Sequence, residues 1–332
     1  MTLSASTRKS IGVAPEIMEF LEKNHFGAVF AIDGIIEILR APLQPGWTSA
    51  TTRIELASGG EFPLDPQVVQ LLTPHKDKLV GQAWETKYRV GALEQTKNDT
   101  PHLTIVFAPT TYEEGTGFHL GLKAAVEQRD IFVLDFREHL ARRLAQPGNY
   151  SVAGIAAVHV IVITTDDRLV LCQRSPNAGY HPLHWSISFE EQINQKDIAF
   201  GNAALSMAAI RGFQEEYSYD RNIAPDNVRT LGVFLEYGIL NIGFCIYLEP
   251  PLTFDELYTN WNSRTKDTWE NVDVMGMSFT LSNIKRFLQL PRFENVIEGK
   301  VGNFHPTSKY RLLLAALHRF GFDAVKDALE CS

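Results

Sequence analysis

Apolar and polar residues follow two rhythms along this chain, and the stretches between them mark its elements. In the first part, Pro15 to Asn24 sets Ile17, Met18, Phe20 and Leu21 among acids, which predicts a short amphipathic helix. Phe26 to Leu39 reads as two strands, or one bent at Asp33-Gly34. Thr52 to Leu56 alternates as a strand does, and Asp65-Pro66 caps a helix carrying Val68, Val69, Leu71 and Leu72. Leu103 to Ala108 predicts a strand ending at Pro109, followed by a polar stretch, Pro109 to Gly117, that reads as a loop or a helix start, with a surface turn and a buried Tyr112 preferred. Ile131 to Leu134 suggests a short strand, and Asp135 to Glu138 a capping box opening a helix through Ala145. Gln146 to Tyr150 has the composition of a linker.

Beyond it the texture changes. Ile155 to Thr164 is a nearly continuous β-branched run, Thr165-Asp166-Asp167 makes a turn, and Arg168 to Arg174 returns, which predicts a hairpin. Ala203 to Ile210 is an alanine-rich apolar run, one buried helix closed by Arg211-Gly212-Phe213-Gln214-Glu215-Glu216-Tyr217-Ser218-Tyr219. Thr230 to Glu236 and Leu240 to Leu248 read as strands, and Thr253-Phe254-Asp255-Glu256 as a capping box for a helix toward Trp261. Ser282 caps a helix carrying Ile284, Phe287 and Leu288; Leu313, Ala316, Leu317 and Phe320 form a last apolar face, ended by Gly321. The expected fold class is therefore α+β. Residues 1–150 make a separate α+β domain of undisclosed role, and 151–332 a second domain with a mixed sheet sandwiched by helices.

Composition narrows the function classes. With 332 residues, 45% of them apolar and 21% charged, the chain can bury two sizeable cores. A net charge of −8 argues against a nucleic-acid surface and suits an acidic protein whose divalent cation bridges it to phosphate. Cys172, Cys245 and Cys331 have neither metal-ligand nor disulfide spacing, so reduced thiols and a cytoplasmic location are expected. No apolar run reaches membrane-spanning length. The first fourteen residues, rich in Ser and Thr and free of acid, read as a loose tail. Oligomeric state stays open.

The candidate chemistry gathers at the closing helix. On a helix Arg211 and Glu215 lie one turn apart, as do Gly212 and Glu216. Adjacent carboxylates beside a basic residue at a helix end suit Mg²⁺. The competing reading is a solvated helix end in which Glu215 merely pairs with Arg211. Arg211, Phe213, Glu215, Glu216 and Tyr219 resemble the core of the Nudix box, with Gly212 in place of a glutamate and Ser218 in place of a glycine. Glu191 and Asp197, five residues between them, reproduce the upstream spacing of that box, but thirteen residues rather than seven separate Asp197 from Arg211. The hairpin ending in Gln173-Arg174-Ser175, the stretch Trp185 to Gln192 and the acidic stretch Glu270 to Ser278 are similar to flanking Nudix elements.

The resemblance implies Mg²⁺- or Mn²⁺-dependent hydrolysis of a nucleoside-diphosphate-linked small molecule. Glu190, Glu191, Glu215, Glu216 and Glu270 would ligate metal, Glu215, Glu216 and Glu191 would act in catalysis, and Arg174 would contact phosphate. Glu190 and Glu191 would replace the carboxylate missing at Gly212. The alternative is a Nudix-fold module without catalysis that binds a nucleotide or a protein partner. An isomerase on the same fold would want a reactive cysteine, and Cys172 and Cys245 sit in apolar strands. His181 and His184 have no Cys or His partner nearby, which favours a loop histidine pair over zinc. Tyr180 and Trp185 could stack on a base, with Trp185 better placed in a core.

Overall fold

The computed structural model describes residues 17, 19–21, 31–32, 34–58, 60–76, 79, 85–96, 101–128, 130–263, 271–290, 293–294 and 301–330. The expected tail over 1–14, the segment 26–30, Asp33 and Glu270 lie outside them. In chain order the strands are β1 (Ala31–Ile32), β2 (Ile35–Arg40), β3 (Thr52–Leu56), β4 (Lys87–Gln95), β5 (Leu103–Thr110), β6 (Gly148–Asn149), β7 (Ala157–Val162) and β8 (Arg168–Arg174). Then come β9 (Trp185–Ile187), β10 (Phe189–Gln192), β11 (Val228–Glu236), β12 (Asn241–Leu248), β13 (Asn271–Ser278), β14 (Phe293–Glu294) and β15 (Val301–Gly302). The helices are α1 (Pro66–Lys76), α2 (Tyr112–Glu127), α3 (Ile131–Leu144), α4 (Gln195–Ile198), α5 (Ala204–Tyr217), α6 (Phe254–Asn262), α7 (Leu281–Gln289), α8 (Ser308–Phe320) and α9 (Phe322–Glu330).

The fold is α+β with several sheets. A mixed sheet runs β1-β2-β11-β12-β7-β10, in which β12 and β7 are parallel and the other pairs antiparallel. A second sheet runs β13-β8-β9 and a third β3-β5-β4-β6. The expected hairpin thus opens into two sheets. After the bridge Ile163–Leu169, β7 stays in the mixed sheet and β8 turns into the second. Both strands are buried over most of their length and, His159 apart, apolar there.

The division expected at residue 150 is crossed by the sheets themselves. Leu39, Glu37, Ile36 and Ile35 of β2 pair with Val233 to Glu236 of β11, so residues from the first half complete the mixed sheet. The core is shared as well, with Phe107 of β5 edge-on to Phe244 of β12 at 6.1 Å. In the expected linker, Gly148 and Asn149 pair with β4.

Local chemistry explains most element ends. Asp65 accepts from the Gln67 amide at the start of α1, and Thr253 with Glu256 closes the predicted capping box of α6. Three expectations are corrected. The strand expected over 131–134 is the first turn of α3, capped by Asp130, whose side chain accepts from Phe132 and Val133, rather than by Asp135. The turn expected over 109–117 is the end of β5 and the start of α2, capped by Thr111. Thr280, not Ser282, caps α7. Among the described residues no helix is long and apolar enough to cross a membrane.

Candidate functional site

Helix α5 is apolar toward the mixed sheet and carries its charges at its C-terminal half, so those charges project at the sheet's rim. It ends at Ser218, which takes the left-handed conformation (φ 51°) that closes a helix. Arg211 is the hub of this rim. Its guanidinium holds Asp197 at 2.9 and 3.0 Å, Glu215 at 3.2 Å, Glu191 at 3.2 Å and the Gln192 carbonyl at 3.0 Å. Burial works to lower the Arg211 pKa, but the hydrogen bonds and charges of Asp197, Glu191 and Glu215 outweigh it and raise it. Glu216 is buried and accepts from the Asn271 amide at 2.8 Å, away from that hub.

The glycine at 212 is a packing requirement. A Cβ there would lie 2.6 Å from the Phe189 ring and 3.1 Å from Cβ of Glu191, so the side chain of Glu191 takes the space that a residue at 212 would claim. Glu191 of β10 fills the space beside Gly212, and its carboxylate is held by Arg211 at 3.2 Å. Its neighbour behaves differently. Ser188 is left-handed (φ 52°) and divides the stretch Trp185 to Gln192 into β9 and β10. This turns Glu190 inward, where it accepts from Arg174 at 2.6 Å, from Ser186 at 2.7 Å and from Arg311. Burial opposes ionisation of Glu190, yet the cationic groups around it, His305 when protonated, then Arg311 and Arg174, hold its carboxyl well below the usual range. Glu190 is thus already neutralised by two arginines, and Arg174, expected to meet phosphate, spends its charge there.

Among the described residues, the acids expected to bind Mg²⁺ form no group of three with ligand atoms close together. Glu190 faces arginines, Glu191 and Glu215 share Arg211, Glu216 meets Asn271, and Glu270 lies outside the described residues. Among the described residues, the one set of three metal-competent side chains with ligand atoms within 4.8 Å of one another is His181, Glu236 and His305. The acids at hand do not fit a Mg²⁺ site of clustered carboxylates.

A cavity of about 370 Å³ lies beside this cluster, bounded by β7, β10, the ends of β11 and β12, the loop after β8 and helix α2. Glu191 and Arg174 reach its edge; Lys87, Tyr112, Tyr180, His119, His159 and Asn241 line it. Several of these groups lack partners. Both ring nitrogens of His159, Nε2 of His119 and Oδ1 of Asn241 are buried with no hydrogen bond among the described residues. His119 is held by Nδ1, 2.7 Å from the Tyr180 hydroxyl, which leaves Nε2 as its unused atom. Burial pushes the pKa of His119 down to about 4 and that of His159 to about 3, so both rings are neutral near pH 7. A neutral imidazole offers one donor and one acceptor.

Sequence reasoning passed over His159, His119, Asn241, Glu236 and His305. The histidine pair at 181 and 184 divides. His181 meets Glu236 (3.1 Å) and His305, whereas His184 turns to the Pro182 carbonyl (2.9 Å). The partner missing nearby in sequence stands 124 residues on, delivered by the fold. Trp185 is core, as expected, while Tyr180 lines the cavity. Cys172 and Cys245 are buried, and burial pushes the Cys172 thiol up to about 12, which removes a reactive thiolate.

No protein-family model matches the chain, and no curated protein matches it. Among solved structures, DR0079 from Deinococcus radiodurans is similar, at 12% identity over 50% of this chain and 84% of that one, with a TM-score of 0.31. So low a score carries no argument, and none of these comparisons bears on the Nudix resemblance.

Proposed function

We propose that this chain binds a polar small molecule of nucleotide type in the cavity lined by His119, His159 and Asn241, as a binding module rather than a hydrolase. The observation that carries this reading is a set of buried polar atoms, unpartnered among the described residues, on three residues that line the cavity. Leaving such atoms unmatched costs roughly 1–3 kcal/mol each, and a ligand with both donors and acceptors would satisfy them. Lys87 suits an anionic group, Tyr112 and Tyr180 suit a ring face, and the volume of about 370 Å³ falls within the range of small-molecule sites. The Nudix resemblance supplies the ligand class.

A second reading, hydrolysis of a nucleoside-diphosphate-linked substrate with Mg²⁺, is favoured by one observation. Glu191 occupies the space beside Gly212 and also lines the cavity. A panel of nucleotides, sugar nucleotides and pyrophosphate, scored by thermal shift without added metal and by phosphate release with Mg²⁺ or Mn²⁺, separates the two. Metal-free stabilisation lost in His159→Leu, with no turnover, supports binding. Turnover lost in Glu191→Gln and Glu216→Gln supports the hydrolase. No stabilisation by any compound sinks the first reading.

A further inference from the structure

We propose that His181, Glu236 and His305 bind one divalent transition-metal ion on the wall of the cavity, with a coordination position open to its interior. This goes beyond the small-molecule reading and does not depend on it. The three side chains come from three places: the loop after β8, the last residue of β11 and the segment before α8. The fold brings their ligand atoms within 4.8 Å of one another. His181 Nε2 and Glu236 Oε1 are 3.1 Å apart. Two ligands held at zinc bond lengths across a tetrahedral angle sit about 3.4 Å apart, so a cation fits between them after a shift of tenths of an ångström.

Two features support a metal over a plain ion pair. Glu236 is 5% exposed, and among the described residues its carboxylate has His181 as its one side-chain hydrogen-bond partner. A buried carboxylate answered by one imidazole is poorly compensated, and a dication would correct that. His305 in turn is oriented from behind. Its Nδ1 lies 2.9 Å from Thr307 Oγ1 and 3.3 Å from the Thr307 backbone N–H. Binding a metal through Nε2 takes the tautomer in which Nδ1 gives up the backbone N–H and donates to Oγ1. That outer-shell arrangement is typical of metal-bound histidines. Two imidazoles and one carboxylate select zinc or iron over magnesium. Three protein ligands leave one position for water or for a ligand in the cavity.

The test uses the full chain stripped with a chelator, titrated with Zn²⁺ by calorimetry and with Co²⁺ by absorption. One ion per chain and a tetrahedral Co²⁺ spectrum are expected. His181→Ala and Glu236→Gln weaken binding by more than about 100-fold, and Thr307→Val by roughly 10- to 100-fold as loss of an outer-shell partner does. His184→Ala leaves it unchanged. His181 is partly exposed, so its variant stays informative if the buried ones fold poorly; melting curves monitor this. Absence of saturable binding, binding that survives His181→Ala, or binding lost only in Glu191→Gln overturns the proposal. Small-ligand thermal shifts measured without metal stand or fall separately.

Discussion

Around Arg211 and around His159 helices and strands together present polar side chains, with opposite outcomes. At Arg211, Asp197, Glu191 and Glu215 are answered by one guanidinium. At the cavity, His119, His159 and Asn241 keep buried atoms that no described residue answers. The acid-rich motif thus carries an ion-pair network, and the wall proposed to meet a ligand has no motif. Charge in a sequence signals chemistry only after its partners are known.

The sharpest way to break this contrast is to remove one residue from each region. Arg211→Met leaves Asp197, 1% exposed, without its cation, and should cost about 3–5 kcal/mol in denaturant unfolding. His159→Leu deletes an unpartnered ring packed against Phe234 and should leave stability unchanged or raise it by up to about 1–3 kcal/mol. Equal destabilisation by the two would erase the distinction.

Acid titration sharpens it next. In the unfolded chain histidines protonate near pH 6.5, whereas His119 and His159 in the fold resist until about 4 and about 3. The unfolded state therefore binds more protons in that window, so stability is full above pH 6.5 and falls as pH drops toward 4. Each ring contributes about 1.4 kcal/mol per pH unit. The slope of unfolding free energy between pH 6.5 and 4.5 should be visibly shallower in His159→Leu.

A smaller effect tests the packing that links the two regions. Gly212→Ala would gain about 1 kcal/mol of helix propensity on an open helix. Here its Cβ meets the Phe189 ring, and the variant should be net destabilised by about 1–3 kcal/mol. Smallest of all, Glu215→Gln breaks an exposed pair with Arg211 and should cost less than about 1 kcal/mol.

What the sequence revealed was local. The capping box at Thr253 and Glu256, the helix closing at Ser218 and the strands over 228–236 and 241–248 follow from neighbours a few residues apart. The apolar run at 131–134 looked like a strand, yet Asp130 caps it as a helix. The pairing of β2 with β11 joins residues almost 200 apart, so the first half's share in the mixed sheet left no periodic trace. The site follows the same rule. Nothing near Glu190 announces Arg311, and nothing near His181 announces His305. The acids at 190 and 191 were visible, but the left-handed Ser188 that sends Glu190 inward was not.

The central claim is that the buried polar atoms of the cavity wall, not the acids of the helix, face the ligand. The most direct measurement is the metal-free thermal shift of the wild-type chain and of His159→Leu and Glu216→Gln against the nucleotide and pyrophosphate panel. The account predicts a shift in the wild type that persists in Glu216→Gln and vanishes in His159→Leu. A shift that persists in His159→Leu and vanishes in Glu216→Gln would contradict it.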